Sequence, residues 1–259
     1  MSHAGSSKAD GAAAAAREVR RWLDQLLDAN PLVGEALPAE FAERAEAYVA
    51  LLLRANQRLN LTRITEPHEV ARLHLLDAVA EVTLLDTTGA RSAVDLGSGG
   101  GIPGIPLAIA RPDVRWLLVD SVGKKAAAMQ EFVDALGLAN VSVVAERAET
   151  LGQSPDHRER HDFVAARACA SLPVLAELAM PLLAIGGTLL AWKGRLAESD
   201  EEVRHGQAAL ELLGGDLAGI RPAGPAVLDG HTFVVARKDR PTPPRYPRRP
   251  GEPSRRPLP

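Results

Sequence analysis

Hydrophobic and polar positions change their spacing once along the chain, close to residue 90. From Ala16 to about Leu85, apolar residues recur three and four positions apart, which is the pattern of amphipathic helices. From Ser92 onward, short apolar runs that end at Gly or Asp alternate with helical stretches, and this order predicts parallel βαβ units. The pattern therefore predicts an α/β fold with an N-terminal helical cap.

The second part of the chain divides into six predicted strands and four predicted helices. The final strand follows a Gly- and Pro-rich stretch without a helical pattern, so we expect it to join the sheet antiparallel, at an edge. The strands are predicted at about 92–97, 116–121, 141–146, 162–168, 187–193 and 231–237, and the helices at 104–111, 123–137, 172–184 and 198–213.

The two ends of the chain have little apolar surface to bury. Residues 1–15 are mostly Ala, Gly and Ser, and residues 240–259 hold eight prolines among arginines. Such compositions predict disorder. The chain is therefore divided into a disordered tail over 1–15, a helical cap over 16–90, an α/β domain over 91–239 and a disordered tail over 240–259.

Charge is distributed unevenly along the sequence. The formal net charge is −3, but residues 240–259 carry six Arg and one Glu, a net +5, which leaves −8 on the rest. Affinity for phosphate follows local basic patches, so an acidic body does not exclude a nucleic acid partner. A single cysteine excludes an intrachain disulfide, and no stretch approaches the ~18 apolar residues of a membrane span. We expect a cytoplasmic protein that uses no metal and no membrane.

A glycine-rich loop follows the first predicted strand. Gly97 and Gly99 can turn sharply and bring bare backbone against a ligand, beyond the carboxyl end of a parallel strand. Gly99, Gly101 and Gly104 also satisfy the spacing of a dinucleotide fingerprint, so the glycines alone leave two cofactors open. Asp95 favours S-adenosylmethionine, because a carboxylate here can reach a cationic ammonium through water or backbone, whereas it would repel a pyrophosphate.

Charged residues lie at the ends of other predicted strands. Asp120 ends the second strand, where a carboxylate can accept hydrogen bonds from both ribose hydroxyls of an adenosyl group. Capping of the next helix is the plain alternative for Asp95 and Asp120. Arg167 interrupts an apolar strand, where an unpaired charge is costly, so a functional or paired role is favoured. With Lys193 and Arg195 it forms a predicted cluster of cations for contact with phosphates.

Several motifs, in matching order and spacing, resemble one family, the bacterial methyltransferases that modify guanine N7 in small-subunit ribosomal RNA, also called glucose-inhibited division protein B. The resemblance spans roughly residues 56–194. It implies a class I S-adenosylmethionine-dependent methyltransferase with a Rossmann-like, mostly parallel sheet, acting on 16S rRNA or the 30S subunit. The motifs are NLTRI at Asn60, HLLDA at His74, DLGSGGGIPGIPLAI at Asp95, LLVDSVGKK at Leu117, RAE at Arg147, ARACASLP at Ala166 and GGTLLAWKG at Gly186.

The resemblance also implies roles for individual residues. Ile102 would line the cofactor, Ala148 and Glu149 would flank the adenine, and Arg167 would face the cofactor or the substrate. Core packing is the plain alternative for Ile102, and a solvated helix start for Glu149. The predicted cofactor set is Asp95, Gly97, Gly99, Ile102, Asp120, Ser121, Ala148, Glu149 and Arg167, and the predicted positioning residues at the reacting base are Arg167 and Lys193.

The chemistry implied by the resemblance needs no general base. Guanine N7 has a lone pair and no proton, so alignment with the methyl group carries most of the rate. Cys169 is interpreted as a buried structural thiol and not as a nucleophile for pyrimidine methylation. The alternatives are a class I methyltransferase with a protein or small-molecule acceptor, a nicotinamide oxidoreductase, and a noncatalytic ribosome assembly factor. We expect a monomer.

Overall fold

A computed structural model of the protein describes residues 3–167 and 170–259, and their side chains from residue 10 onward. The interpretation of Cys169 as a buried thiol therefore falls outside the described residues. Among the described helices, none is long and apolar enough to cross a membrane.

Seven strands of the described chain form one sheet in the order β3-β2-β1-β4-β5-β7-β6. Strands β1 to β5 run parallel, and β7 runs antiparallel to both β5 and β6. The strand order reverses at β1, which pairs with β2 on one side and β4 on the other, so a crevice opens there at the carboxyl ends of the strands. The strands are β1 (Ser92–Leu96), β2 (Arg115–Val119), β3 (Val141–Val144), β4 (His161–Arg167), β5 (Leu183–Lys193), β6 (Gly215–Pro222) and β7 (Thr232–Lys238).

Helices cover both faces of the sheet. The N-terminal cap contains α1 (His3–Asp28), α2 (Pro31–Gly34), α3 (Phe41–Leu59), α4 (Pro67–Val70), α5 (Asp77–Val79) and α6 (Thr83–Thr88), with a π-helical turn over Ala71–Leu76. The helices that connect the strands are α7 (Gly104–Ala110), α8 (Gly123–Leu136), α9 (Ala148–Leu151), α10 (Leu172–Ala179) and α11 (Glu201–Leu213), and α12 (Glu252–Arg255) follows the sheet.

Each face of the sheet has its own hydrophobic core, because successive side chains of a strand point to opposite faces. In β1, Ala93 belongs to the core shared with the cap, α7 and α8, whereas Val94 and Leu96 belong to the core shared with α10 and α11. The cap is thus continuous with one core of the sheet, and its last helices approach the carboxyl ends of β4 and β5.

The prediction of disorder for residues 1–15 is wrong over the part that the structure describes. Helix α1 begins at His3, and Ala12 and Ala16 are buried on the face that continues through Val19 and Leu23. Alanine has the highest intrinsic helix propensity, so the Ala-rich start extends the amphipathic helix.

The prediction of disorder for residues 240–259 is also wrong. Tyr246 and Leu258 are buried in the second core, and the Arg248 guanidinium binds the buried Glu177 carboxylate. Proline restricts the unfolded chain, which lowers the entropy lost when the segment becomes ordered. A carboxylate buried in α10 also requires a cation, and the segment supplies it.

The six predicted strands and four predicted helices are present, but the sheet has a seventh strand. Strand β6 was missed because Gly215, Gly219 and Pro222 hide its alternating pattern. The last predicted strand, β7, is antiparallel as expected, but β6 covers its outer side, so the edge position is wrong. The predicted helix at 172–184 ends at Ala179, since β5 already begins at Leu183.

Candidate cofactor and substrate site

The glycine loop connects β1 to α7 at the point where the strand order reverses. Gly97, Gly99 and Gly101 have φ angles of 71°, 60° and 91°, in the region that glycine adopts without a Cβ clash. The hydroxyl of Ser98 donates to the Asp95 carbonyl at 2.9 Å and accepts from the Val119 amide at 3.2 Å. These hydrogen bonds fix the side of the loop that faces the strands, and the opposite side stays open.

The glycines of the loop fall into two groups. Gly97 is exposed and Gly99 is half-buried, and a Cβ on Gly99 would have only the Gly97 carbonyl oxygen near it, at 3.8 Å. A Cβ on Gly104 would lie 2.3 Å from Leu118 Cδ2, and one on Gly101 would lie 2.5 Å from Ile105 Cδ1. Gly101 and Gly104 are thus required for packing, and Gly97 and Gly99 present backbone to a ligand.

Asp95 lies beneath this loop and is fully buried. Its Oδ2 accepts a hydrogen bond from the Gly104 amide at 3.0 Å, which fixes the start of α7. Within the described residues, its Oδ1 has no hydrogen-bond partner. Burial raises the pKa of this carboxyl to about 7. Asp95 therefore combines the capping role with an unused acceptor at the base of the loop.

Asp120 follows β2 and also binds the loop. Its Oδ2 accepts from the Gly99 amide at 2.9 Å, and its Oδ1 accepts from the Val122 amide at 2.8 Å. The Asp120 amide donates to the Val144 carbonyl at 3.3 Å, so the carboxylate lies beside the end of β3. An ionised carboxylate has about four lone-pair positions, so each oxygen keeps one acceptor position for a ligand.

The remaining predicted cofactor residues differ in their exposure and in their contacts. Ser121 is exposed next to Asp120, and Ala148 is half-buried at the start of α9. Glu149 is buried, and its Oε1 accepts from the Gly251 amide at 2.7 Å, so it is not a solvated helix start. Ile102 is 9% exposed and packs in the core between the cap and the sheet.

Arg167 lies at the carboxyl end of β4, on the other side of the crevice. Its Nη1 donates to Asp77 Oδ2 at 3.1 Å and to the Leu73 carbonyl, and its Nη2 donates to His74 Nδ1 at 3.2 Å. Asp77 Oδ1 binds His231 Nδ1 at 3.0 Å. We call Arg167, His74, Asp77 and His231 the Arg167 cluster; it confirms that the strand arginine is paired.

A π-helical turn in the cap prepares the carbonyl that Arg167 uses. The Asp77 amide donates to the Arg72 carbonyl, five residues back, instead of to the Leu73 carbonyl, four residues back. Arg167 donates to the Leu73 carbonyl instead. The irregular turn therefore exchanges one backbone hydrogen bond for a charge-assisted contact to the sheet.

His74 is neutral near pH 7, because burial, with a further contribution from the Arg167 charge, lowers its pKa to about 4. Since its Nδ1 accepts from Arg167, its proton lies on Nε2, which donates to Thr62 Oγ1 at 2.7 Å. The cluster thus holds Arg167 through a carboxylate, a carbonyl and a neutral imidazole.

Lys193, at the end of β5, is already bound within the protein. Its Nζ donates to the Ala170 carbonyl at 2.7 Å and to Glu202 Oε1 at 2.6 Å. Arg195 is exposed and pairs with Asp229 at 3.2 Å. Of the predicted basic contacts, Arg167 and Lys193 line one cavity, whereas Arg195 does not.

That cavity has a volume of about 380 Å³ and mixes apolar and charged walls. Its apolar side includes Ile64, Leu73 and Trp192, and the Trp192 indole N–H donates to the Asp77 carbonyl at 2.8 Å. Its polar side includes Asp77, Arg167, Lys193 and His231. Apolar walls with a few polar groups, in a cavity of this size, are typical of sites that bind small ligands or single chemical groups.

Four contributors to the site are not evident from the sequence. His74 and Asp77 lie inside the HLLDA motif, which assigns them no role, and His231 directly precedes β7 with no local signal. A fourth, Tyr48 of α3, is fully buried and donates its hydroxyl to the Gly100 carbonyl at 2.8 Å, which fixes the cap to the glycine loop.

Solved structures of similar fold support the architecture. An O-methyltransferase from Bacillus cereus in complex with SAH superposes with a TM-score of 0.52 at 18% identity, over 72% of this chain and 89% of that chain. The S-adenosylmethionine-dependent methyltransferase SibL gives a TM-score of 0.51 at 15% identity, over 78% and 77% of the two chains. Together with the strand order and the glycine loop, this defines a class I S-adenosylmethionine-dependent methyltransferase fold, as expected.

A family model described as rRNA small subunit methyltransferase G matches residues 42–220. The protein named Ribosomal RNA small subunit methyltransferase G in Deinococcus radiodurans is 42% identical over 252 residues, covering 96% of this chain and 95% of that protein. Its namesake in Desulforamulus reducens is 39% identical, over 82% of this chain and 88% of that protein. The chain belongs to the rRNA small subunit methyltransferase G family.

Proposed function

We propose that the protein transfers the methyl group of S-adenosylmethionine to N7 of a guanine in 16S rRNA of the small ribosomal subunit. The observation that carries the proposal is that the open glycine loop and the arginine-lined cavity lie at the carboxyl ends of the neighbouring strands β1 and β4. The names of the relatives agree with a ribosomal RNA acceptor.

The loop side of the crevice fits the methyl donor. Gly97 and Gly99 present backbone, Asp95 Oδ1 is an acceptor without a partner in the described chain, and Asp120 keeps acceptor positions on both oxygens. Bound S-adenosylmethionine supplies a methyl group on a positively charged sulfur. We assign Asp120 to the ribose hydroxyls, and Asp95 to the ammonium through the loop backbone or water.

The flanking residues complete this assignment. Ala148 and Glu149 lie after β3, next to Asp120, and would border the adenine. Ser121 is the exposed neighbour of Asp120, and Ile102 would support the loop from the core. In this assignment Glu149 acts through its backbone and its packing, since its carboxylate binds the Gly251 amide.

The cavity side would hold the guanine. Arg167 and Lys193 position the base without removing a proton, because N7 carries none. Arg167 donates to an acceptor other than N7, since the N7 lone pair must stay free for the methyl group. Methylation leaves the base positively charged. The Asp77 carboxylate, 3.1 Å from Arg167, offsets the arginine charge beside that base.

We further propose that the protein acts as a cytoplasmic monomer on the 30S subunit or its RNA, without a metal ion. Within the described residues, Glu66, His68 and Glu69 lie close enough to share an ion. However, Glu66 caps α4 through two backbone amides, and Glu69 pairs with Arg72 at 2.7 Å. Light scattering of the purified protein tests the monomer, and activity in the presence of EDTA tests the metal.

The central experiment incubates the protein with radiolabelled S-adenosylmethionine and either 30S subunits or naked 16S rRNA from a strain that lacks the gene. We expect label on guanine N7, detected as a site of strand cleavage after borohydride and aniline treatment. The Arg167→Ala variant should bind the cofactor and transfer little label. Absence of label from both substrates would refute the proposed function, and label at another atom would refute its regiochemistry.

A further inference from the structure

Besides Arg240, which donates to the Glu211 carbonyl, the C-terminal segment, residues 240–259, displays four further arginines to solvent. Arg245, Arg249, Arg255 and Arg256 are all exposed. In the described part of the chain, the ion pairs of this segment belong to Arg248 and leave the charges of the other four uncompensated by a carboxylate. Because the rest of the chain is net acidic, this segment carries the main excess of positive charge.

Buried contacts hold the segment in a fixed position. The Arg248 guanidinium donates to both oxygens of the fully buried Glu177, with contacts of 2.8 Å and 2.5 Å. Arg158 donates to the carbonyls of Thr242 and Tyr246 at 2.8 Å and 2.7 Å. A buried carboxylate without its cation is strongly unfavourable, so the Glu177 contact resists detachment of the segment.

The path of the chain brings the segment to the cofactor side of the crevice. Strand β7 is antiparallel, and Arg237 near its end pairs with Thr188, where β5 enters the parallel part of the sheet. From there the chain returns along α10 until the Gly251 amide reaches Glu149 of α9. Helix α9 follows β3, so this point lies near the carboxyl edge of the sheet, where the acceptor RNA must approach.

Two of the arginines line a groove on this surface. Arg245 and Arg249 border a space of about 430 Å³ together with Gln153 and Glu149, whose Oε1 is bound to the Gly251 amide. The Arg245 guanidinium lies 5.0 Å from the centre of the Tyr246 ring, which restricts its orientation. A planar guanidinium can donate two hydrogen bonds to one phosphate.

We propose that the C-terminal segment is a docking surface for the phosphate backbone of the acceptor RNA. Arg245 and Arg249 bind phosphate in the groove, and Arg255 and Arg256 extend the contact along the chain. Phosphate contacts fix position and register and do not read sequence, so the surface would orient the RNA across the crevice. This inference rests on the proposed function, because it assumes that the acceptor is RNA.

The test measures how binding of a 16S rRNA fragment depends on salt, by filter binding at several KCl concentrations. The double variant Arg245→Gln with Arg249→Gln should bind roughly ten-fold more weakly near 0.1 M salt, and the slope of log K against log[salt] should fall by about 0.7–0.9 per lost contact. Lysine at the same two positions should restore most of the slope, because the contact depends on charge.

A matched control removes two exposed arginines at the opposite edge of the sheet, Arg115 and Arg237. Their replacement by Gln changes the net charge by the same amount as the double variant does. The slope of log K against log[salt] should differ from the wild-type slope by no more than about a third of the change expected for one lost contact. Cofactor affinity without RNA and thermal stability should be unchanged in all variants. Equal slopes for the Arg245 and Arg249 variant and the wild type would overturn the proposal, as would equal losses in variant and control.

The outcomes separate this inference from the proposed function. If wild-type protein methylates the RNA while the Arg245 and Arg249 variant keeps the full slope, the function stands and the docking surface is wrong. If the wild type transfers no label but the slope falls in the variant, the surface stands and the methyl transfer is wrong. If the double variant loses affinity for 30S subunits but keeps its affinity for naked RNA, the surface binds a ribosomal protein, and the proposal is wrong.

Discussion

The glycine loop and the Arg167 cluster lie at the carboxyl ends of the neighbouring strands β1 and β4, yet they are built from the sequence in opposite ways. The loop is closed by hydrogen bonds that the Gly104 and Gly99 amides donate to the carboxylates of Asp95 and Asp120, which lie 9 and 21 residues away. In the cluster, Asp77 binds Arg167 from 90 residues away and His231 from 154 residues away. The loop is thus a local motif, whereas the cluster exists only in the folded protein.

The two regions also differ in how far their polar groups are satisfied. On the loop side, Asp95 Oδ1 and two lone pairs of Asp120 remain for a ligand. On the cluster side, both Asp77 oxygens and both terminal nitrogens of Arg167 have protein partners. This difference suggests that the loop side contributes affinity for the cofactor and that the cluster contributes a fixed geometry for the acceptor.

The largest effect is expected when the cluster loses its carboxylate. The Asp77→Ala variant leaves the Arg167 guanidinium, whose side chain is 17% exposed, without a counterion. Removing one partner of a largely buried ion pair costs about 3–5 kcal/mol, and His231 loses its acceptor as well. We expect a loss of that size in the free energy of unfolding, measured by urea denaturation.

The chain offers a matched control in the same cap. Glu69→Ala also removes a carboxylate from an arginine, but Glu69 is 37% exposed, so the loss should stay below about 1 kcal/mol. Equal losses for the Asp77 and Glu69 variants would mean that the cluster does not connect the cap to the sheet in the way described.

The next effect concerns the buried carboxyl beneath the loop. Folding raises the pKa of Asp95 from 3.8 to about 7, through burial, so the folded state holds this proton more tightly than the unfolded state. The associated stability is complete below pH 4 and is lost as the pH rises to about 7. Relative to the wild type, Asp95→Asn should therefore gain up to about 4 kcal/mol between pH 4 and pH 8.

The same substitution should weaken the cofactor site. Asparagine still offers an oxygen to the Gly104 amide, but it removes the negative charge that we assign to the ammonium of the cofactor. Urea denaturation at several pH values and calorimetry with S-adenosylmethionine measure the two effects. A stability difference between variant and wild type that does not change with pH would show that Asp95 does not titrate in this range.

A smaller effect is expected from Asp120→Ala, which removes the acceptors for the Gly99 and Val122 amides and for the ribose. Cofactor binding should weaken by about 1–3 kcal/mol, the range for a hydrogen bond to a charged group. Asp134, an exposed carboxylate on α8, is the control, and its replacement by Ala should leave affinity unchanged. Unchanged calorimetric affinity for the Asp120 variant would contradict the ribose assignment.

This contrast explains how much could be predicted from the sequence. The strand positions, the glycine loop, Asp95 and Asp120 are accessible from the sequence, because hydrophobic periodicity and short spacings determine them. The pairing of Arg167 could be expected from its charge within an apolar strand, but not its partner, since Asp77 is distant in sequence. The composition of the C-terminal segment predicts disorder because it shows no apolar face, although Glu177 requires the charge of Arg248.

The smallest effects distinguish the two kinds of glycine in the loop. Gly104→Ala places a Cβ 2.3 Å from Leu118 Cδ2 and 2.6 Å from Asp95 Oδ2, so overpacking should cost about 1–3 kcal/mol of stability. Gly99→Ala has open space but a φ of 60°, so strain alone should cost about 1 kcal/mol.

Relative to the stability that each variant loses, Gly99→Ala should weaken cofactor binding more than Gly104→Ala does. Gly99 lies on the open surface of the loop, so a methyl group there occupies space that a ligand would use, whereas the Cβ of Gly104 lies below the loop. Thermal denaturation and calorimetry on both proteins measure the two quantities. If Gly99→Ala keeps full affinity, the ligand does not approach the loop at this glycine, and Gly97 becomes the point of contact.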